Sequence, residues 1–138
     1  MRIYQGDVWG IETAGWSIES DETCLTLCPA DVDAALQISA YLKLEGSVTT
    51  EELLEGARER APQGTPVKQV VCGPFVGYRC EYDDHEEDLI WRVWQLGRGQ
   101  TELFITYNTS PEHRDKHRAV VDWMLSTLTE GRGEFDGA

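Results

Sequence analysis

Apolar and polar residues alternate along most of the chain with a period of two, which is the period of a half-buried β-strand. The clearest case is A-L-Q-I-S-A-Y-L-K-L, from Ala35 to Leu44, where every second residue is polar or aromatic and the rest are apolar. Shorter strands are predicted before it in V-W-G-I-E, W-S-I-E-S and T-C-L-T-L-C, with breaks at Gly15 and at Asp21-Glu22. More strands follow it in V-K-Q-V-V-C, F-V-G-Y-R-C-E-Y, L-I-W-R-V-W-Q-L and E-L-F-I-T-Y-N, and G-R-G-Q indicates a hairpin turn between the last two.

Helices are predicted in two segments that depart from this period. Thr49 fits the N-cap of the first helix because Glu52, three residues later, can close a capping box, and Pro62 ends the helix. The second helix is predicted to begin at Ser110 as its N-cap, with Pro111 in the first helical position. Its apolar residues are expected on one face: Val120, Val121, Met124, Leu125 and Leu128.

The order of these elements predicts a single α+β domain. Strands joined by short turns form an antiparallel sheet, and the helices are expected to pack on it as an α/β/α sandwich. A chain of 138 residues is long enough for one core of this kind. We expect residues 1–128 to form the domain and residues 129–138, which are polar and rich in glycine, to form a flexible tail.

The charge of the chain narrows the class of partner. It carries 25 acidic and 12 basic residues, which gives a formal net charge of -13 at pH 7. A polyanion disfavours nucleic acid and anionic membrane surfaces, whereas it attracts a basic protein or keeps the chain soluble. No membrane span of 18 or more apolar residues is present. No signal peptide is visible after Met1, so a cytoplasmic location is expected.

The cysteines favour buried thiols over a zinc site, which is the weaker alternative because their spacings differ from the usual zinc motifs. Cys24, Cys28, Cys72 and Cys80 form no C-x-x-C motif, and all four lie in apolar, strand-like sequence. Cys24 and Cys28 would stand about 13 Å apart along one strand, which is too far for a disulfide. We therefore expect buried, reduced thiols.

The densest charge lies in D-D-H-E-E-D, where Asp83, Asp84, Glu86, Glu87 and Asp88 surround one histidine. The segment lacks the glycine and the D-x-D-x-D-G spacing of a calcium loop. An exposed hairpin end also rarely provides the pocket that separates the pKa values of two catalytic carboxylates. It is either a hydrated connector or a contact for a basic partner.

A different possibility rests on His113 and His117, which would share one face of the second helix. That spacing permits a small-ligand or metal site between helix and sheet, near the cysteines. The segment H-R-D-K-H differs from the zinc-binding motif H-E-x-x-H, however, and Arg114 and Lys116 would repel a cation. Packing of both rings against the sheet is the interpretation we favour, so no metal is predicted.

A partner-binding surface is predicted on the less apolar faces of the strands. Together these faces carry a mixture of aromatic, guanidinium and polar side chains: Gln37, Tyr41, Lys43, Arg79, Glu81, Arg92, Trp94, Phe104 and Thr106. Tryptophan, tyrosine and arginine are the residues that dominate binding energy at protein interfaces. The open alternative is that a helix covers this face, in which case Trp94 and Phe104 belong to the core.

The sequence contains no recognisable catalytic or phosphate-binding motif. None of its serines lies in a G-x-S-x-G setting, and its glycine-rich turns lack the P-loop lysine and the G-x-G-x-x-G spacing. We therefore predict a protein that is not an enzyme and that needs no cofactor.

The segments W-R-V-W-Q-L, L-F-I-T-Y-N and M-L-S-T-L, between Val67 and Leu128, resemble the PsbP-like superfamily. Its members include DcrB-like bacterial proteins, Mog-type Ran-binding factors and Eag-type effector chaperones. The resemblance covers the order of elements over most of the chain and implies a module that binds other proteins, without any active-site residue. The sequence thus predicts a small acidic binding domain, with toxin immunity or effector chaperoning as its expected role.

Overall fold

The computed structural model describes residues 1–5, 9–21 and 24–131. Within these ranges the chain forms ten strands and two α-helices. The first half contains β1 (Arg2–Gln5), β2 (Trp9–Glu12), β3 (Ser17–Ser20), β4 (Cys24–Cys28), β5 (Ala34–Leu42) and α1 (Thr50–Arg60). The second half contains β6 (Lys68–Cys72), β7 (Phe75–Asp84), β8 (Leu89–Arg98), β9 (Thr101–Thr109), α2 (Arg118–Ser126) and β10 (Thr129–Glu130).

Two antiparallel sheets organise the molecule. The larger has seven strands in the order β3-β4-β5-β9-β8-β7-β6, so that β6 to β9 form a run of hairpins and β5 joins this run through β9. The smaller has three strands in the order β1-β2-β10. The predicted strands after α1 and the long strand before it are confirmed, whereas parts of two earlier predicted strands, at Val8 and Thr23, lie outside the described residues.

The core lies on one side of the large sheet, which we call the inner face. Leu36, Trp94, Leu103 and Ile105 point to this side and are nearly inaccessible to solvent. Trp9 of β2 and three residues of α2 pack with them in the same cluster: Val121, Met124 and Leu125. The small sheet and α2 therefore cover the inner face together.

Among the described residues, the opposite side, the outer face, is covered mainly over β7 and β8, where α1 packs with Leu53 and Ala57 buried. The predicted capping box of α1 is confirmed, because the Thr49 side chain accepts from the Glu52 N–H and the Glu52 side chain accepts from the Thr49 N–H. Gly97 of β8 has no side chain, and the space this leaves is occupied by Val48 and Leu53. The start of α1 can therefore approach the sheet closely.

The predicted α+β class, with its α/β/α sandwich, is wrong. The two helices have only 11 and 9 residues, and the layer on the inner face consists of the small sheet together with α2. The first strands of the chain cause this difference, because β1 pairs with β2, β2 pairs with β10, and neither β1 nor β2 extends the large sheet. The fold is dominated by antiparallel sheet.

The second helix and the tail also differ from their predictions. Ser110 makes no side-chain capping hydrogen bond, Pro111–His113 forms a single 3-10 turn, and α2 begins only at Arg118. An apolar stripe begins near Val120, so no packing against the core stabilises an earlier α-helical turn. Thr129 and Glu130, predicted to lie in the flexible tail, pair with β2, while residues 132–138 lie outside the described residues. None of the helices in the described part is long and apolar enough to span a membrane.

Candidate functional site

Strand register divides the predicted binding surface between the two faces of the large sheet. Trp94 lies opposite Ile105 on the inner face, and Arg92 lies opposite Tyr107 on that same face. Phe104 instead lies opposite Gln95, on the outer face. The prediction of one surface that contains Arg92, Trp94 and Phe104 together is therefore wrong.

Trp94 and Arg92 are buried, with exposed fractions of 1% and 3%. The Arg92 guanidinium lies over the Trp94 ring, with its carbon 4.7 Å from the ring centroid, and it donates to Asp122 of α2 at 2.6 Å. It also lies 3.6 Å from a carboxylate oxygen of Glu81. For these two residues the alternative interpretation holds, because a helix and its carboxylate seal them away from any partner. Arg79, on the same face but nearer its edge, is half-buried.

The outer face remains accessible beyond α1. Side chains of β8 under the helix, from Val93 to Gly97, are buried, whereas no outer-face residue of β4, β5 or β9 is fully buried. A concave surface of about 520 Å³ lies at the boundary, which we call the outer groove. Its lining consists of Gln37, Arg60, Tyr82, Asp84, Trp91, Val93, Phe104 and Thr106.

Aromatic rings from three neighbouring strands form the floor of the outer groove. Tyr82 of β7 pairs directly with Trp91 of β8, and Phe104 of β9 lies on the same face. Arg60, the last residue of α1, places its guanidinium carbon 3.9 Å from the Phe104 ring centroid. A basic residue in the last turn also suits the negative end of the helix dipole. The length of α1 thus determines where this cation meets the rings.

Tyr82, Trp91 and Arg60 were missing from the residues predicted for the site. In sequence, Trp91 shares its face with Leu89 and Val93, so that face is as apolar as the core face of the same strand. The apolar content of the two faces therefore does not show which of them packs in the core and which lines the groove. One sequence feature does mark Trp91. The strand contains two tryptophans, and the core takes only one of them, Trp94.

The acidic segment adjoins the outer groove. Asp83 and Asp84 end β7, and the Asp84 carboxylate accepts from the N–H groups of Glu86 and Glu87, both at 3.2 Å. A second concavity of about 560 Å³ at this turn shares Arg60, Tyr82 and Asp84 with the outer groove. The rings and the carboxylates therefore form one continuous surface.

The carboxylates of this segment differ in whether they form ion pairs. Asp83 binds Arg114 at 3.2 Å, which fixes one end of the turn against the chain after β9. Glu86, Glu87 and Asp88 are exposed, and in the described residues none of them has an ion-pair partner. These three remain available to a basic partner. Tyr41 is exposed as well, but it lies opposite Glu102, outside the lining of the outer groove.

The two histidines do not form the predicted helical pair, because His113 belongs to the 3-10 turn and His117 is the N-cap of α2. The His117 ring lies 2.8 Å from Asp31 and lowers the pKa of that carboxyl by hydrogen bonding. It also meets the Trp16 ring edge-on, with 5.4 Å between centroids. The described residues contain no group of three or more histidine, cysteine or acidic side chains that could hold a metal ion.

All four cysteines are free thiols. Cys72 and Cys80 are buried, and burial raises the pKa of the Cys72 thiol to about 11 and that of Cys80 in the same direction. A thiol with a raised pKa is a poor nucleophile at neutral pH. Cys24 and Cys28 are only half-buried, so the predicted burial holds for Cys72 and Cys80 and is wrong for these two.

Comparison with known proteins gives a fold and no family. No family model matches the chain, and no curated protein matches it. A crystal structure from Bacteroides thetaiotaomicron VPI-5482 is similar, with a TM-score of 0.67 and 12% sequence identity. The similarity covers 94% of this chain and 47% of that one, so this chain spans about half the length of its structural neighbour. At this identity the likeness shows the fold alone, and membership of the PsbP-like superfamily stays a prediction.

Proposed function

We propose that this chain is a non-enzymatic protein-binding domain that holds a basic segment of a partner protein in the outer groove. The observation that carries this proposal is the continuity between three accessible aromatic rings and an acidic turn. Lysine and arginine side chains of a partner can stack on the faces of Tyr82 and Trp91, beside the Phe104 ring that already carries Arg60, while their charges meet carboxylates at the rim. The domain would act by covering the surface of its partner.

The two parts of the surface have different tasks in this proposal. Rings in a desolvated groove supply most of the binding free energy, because a few aromatic anchors dominate protein interfaces. The exposed carboxylates of Glu86, Glu87 and Asp88, together with the net charge of -13, mainly raise the association rate. Toxin immunity and effector chaperoning both need this kind of occlusion, and we propose one of them as the biological setting.

Photo-crosslinking tests which surface meets a partner. A photoreactive amino acid replaces Gln37 in the outer groove, and a matched variant carries it at Ser17, which is exposed on edge strand β3. Irradiation in native cells should link the Gln37 position to one protein with a basic surface, and the Ser17 position should not capture it. Equal capture from both positions would exclude the outer groove as the binding surface.

The electrostatic part of the proposal has its own test on the captured partner. Neutralising Glu86, Glu87 and Asp88 should slow association and reduce its dependence on salt. The control neutralises three exposed acidic residues before and within α1, Glu45, Glu51 and Glu55, so the net charge changes equally. Along the helix axis Glu51 lies about 13 Å and Glu55 about 7 Å from Arg60, and Glu45 precedes the helix. If both triple variants associate at the same rate, the acidic turn has no specific part in binding.

A further inference from the structure

A second groove lies on the inner face, between α2 and the edge strand β6, far from the aromatic rings of the outer groove. One end has a volume of about 400 Å³ and is lined by Pro66, Lys68, Arg79, Cys80, Glu81 and Arg118. The other end, of about 230 Å³, is lined by Val70, Val71, Cys72, Arg79, Trp94, Asp122, Leu125 and Ser126. Arg79 lines both ends, so the two form one groove, which we call the α2–β6 groove.

The basic end carries cations that lack carboxylate partners. Lys68 and Arg79 lie directly opposite each other across β6 and β7, and like charges in this position destabilise a sheet. Neither forms an ion pair with any described residue. The chain has 25 acidic residues for 12 basic ones, so acidic partners are plentiful. Two adjacent unpaired cations therefore require an explanation.

Carboxylates in the groove are already engaged with other cations. Glu81 accepts from Arg118, with oxygen-to-nitrogen distances of 2.8 and 3.0 Å, and Asp122 accepts from the buried Arg92 at 2.6 Å. The Arg118 hydrogen bond lowers the pKa of Glu81, so this carboxyl is ionised at neutral pH and stays bound to Arg118. Lys68 and Arg79 thus retain their charge without compensation from within the groove.

The other end of the groove is apolar and partly accessible. Val70, on the inner face of the edge strand β6, is half-buried, and Leu125 of α2 lines the adjoining wall. A ligand that fits both ends has an anionic head for Lys68 and Arg79 and an apolar portion for Val70 and Leu125. The neighbouring carboxylates of Glu81 and Asp122 favour a head with a single negative charge, since a dianion would meet stronger repulsion.

We propose that the α2–β6 groove binds a small organic monocarboxylate, with its carboxylate between Lys68 and Arg79 and its apolar chain against Val70 and Leu125. The guanidinium of Arg79 can donate to both carboxylate oxygens in a bidentate pair, which is the geometry for which arginine is suited. The site is independent of the outer groove, so its failure would leave the proposed protein-binding function untouched.

Titration of the full chain with octanoate, followed by amide chemical shifts in NMR spectra, tests the proposal. Octanoate should shift amides of β6 and α2 with a dissociation constant below about 10 mM, a weak but measurable affinity. Octanamide, which has the same chain without the charge, should bind at least about tenfold more weakly, since a charge-assisted pair contributes more than about 1.4 kcal/mol. Octyl phosphate serves as the dianionic probe and should also bind more weakly.

Two variants locate the anion site. Arg79→Gln should weaken octanoate binding by about tenfold or more. Its control is Arg58→Gln, because Arg58 on α1 is exposed and has no ion-pair partner among the described residues either. Absence of octanoate binding, equal binding of octanamide, or unchanged binding by Arg79→Gln would each overturn the proposal. Tighter binding of octyl phosphate would overturn the assignment of a carboxylate.

Discussion

Trp91 and Trp94 lie three residues apart on the same strand and have opposite surroundings. Trp94 points to the inner face, where it is 1% exposed beneath α2, with the Arg92 guanidinium against its ring. Trp91 points to the outer face, where it is half-buried and lines an open groove. The same residue type thus serves the core at one position and an accessible surface at the other, and the covering layer determines which.

The covering layers differ because of their size. The inner face is covered by a three-stranded sheet and α2, whereas the outer face has only α1, which packs on β7 and β8. An α-helix of 11 residues is about 16 Å long and cannot cover seven strands. The uncovered remainder of the outer face is where we place the partner, and the following predictions test this division of the sheet.

The largest expected effect separates the two tryptophans by stability. Trp94→Ala should lower the free energy of unfolding by about 3 to 5 kcal/mol, because it leaves a large cavity in the core. Trp91→Ala should lower it by about 1 kcal/mol or less, since its ring is already partly hydrated. Urea denaturation of both variants measures the difference. Equal losses of stability would contradict the division into a sealed and an open face.

The next effect concerns the ion-pair network at the edge of the inner face. Arg118, and with it Arg92 and Arg114, keeps the pKa of Glu81 below its ordinary value of 4.5. A lowered pKa in the folded state contributes stability above pH 4.5 that is lost as the pH falls through the folded-state value. Glu81→Gln should therefore cost about 1.5 kcal/mol at pH 7, and little at low pH. Thermal denaturation of both chains between pH 7 and low pH measures this loss of stability. A loss that does not depend on pH would contradict an ionic role for Glu81.

A smaller effect tests how α1 is held on the outer face. Thr49→Ala removes the N-cap that accepts from the Glu52 N–H, and it should cost about 1 kcal/mol of stability. Thr49→Ser, which keeps the hydroxyl, is the matched control and should cost much less. Hydrogen exchange should show the loss at the first turn of α1 and not in α2. Uniform loss of protection in both helices would argue against a local cap.

The smallest effect concerns Glu102 on the outer face. Burial, reinforced by Glu52, raises the pKa of Glu102, so its charged form is disfavoured in the folded state. A raised carboxyl pKa gives a relative stabilisation at low pH that disappears as the pH rises through the folded-state value. Glu102→Gln should thus raise stability at pH 7 by about 0.5 kcal/mol or less, since the group is partly solvated. A loss of stability at pH 7 would show that its charge is favourable.

The sequence predicted the strands around the hairpins and the first helix well, because these depend on local features. The Thr49–Glu52 capping box and the alternation in β5 and β7 to β9 are examples. The second helix was placed too early because Ser110-Pro111 is a strong local start signal. The apolar stripe that stabilises α2 begins only further along the chain.

The candidate site was harder to predict because it depends on strand register. Alternation in the sequence assigns the residues of each strand to two faces. Strand pairing decides which faces of neighbouring strands lie on the same side of the sheet, and a shift of one residue in register would exchange them. Trp94 and Phe104 were grouped by composition, yet their partners, Ile105 and Gln95, place them on opposite sides. The position of Arg60 over Phe104 depends on the packing of α1, which local patterns do not encode.

The central claim is that the open part of the outer face binds a basic partner, and its most direct test is affinity. The partner identified through the Gln37 position is titrated against the wild-type chain, Trp91→Ala and Trp123→Ala. Trp123 is the matched control because it is 50% exposed on α2, away from the outer groove. We expect the Trp91 variant to raise the dissociation constant by about 30-fold or more, which corresponds to about 2 kcal/mol, and the Trp123 variant to change it by less than about twofold. Equal affinities for all three chains, or a larger loss at Trp123, would contradict the account.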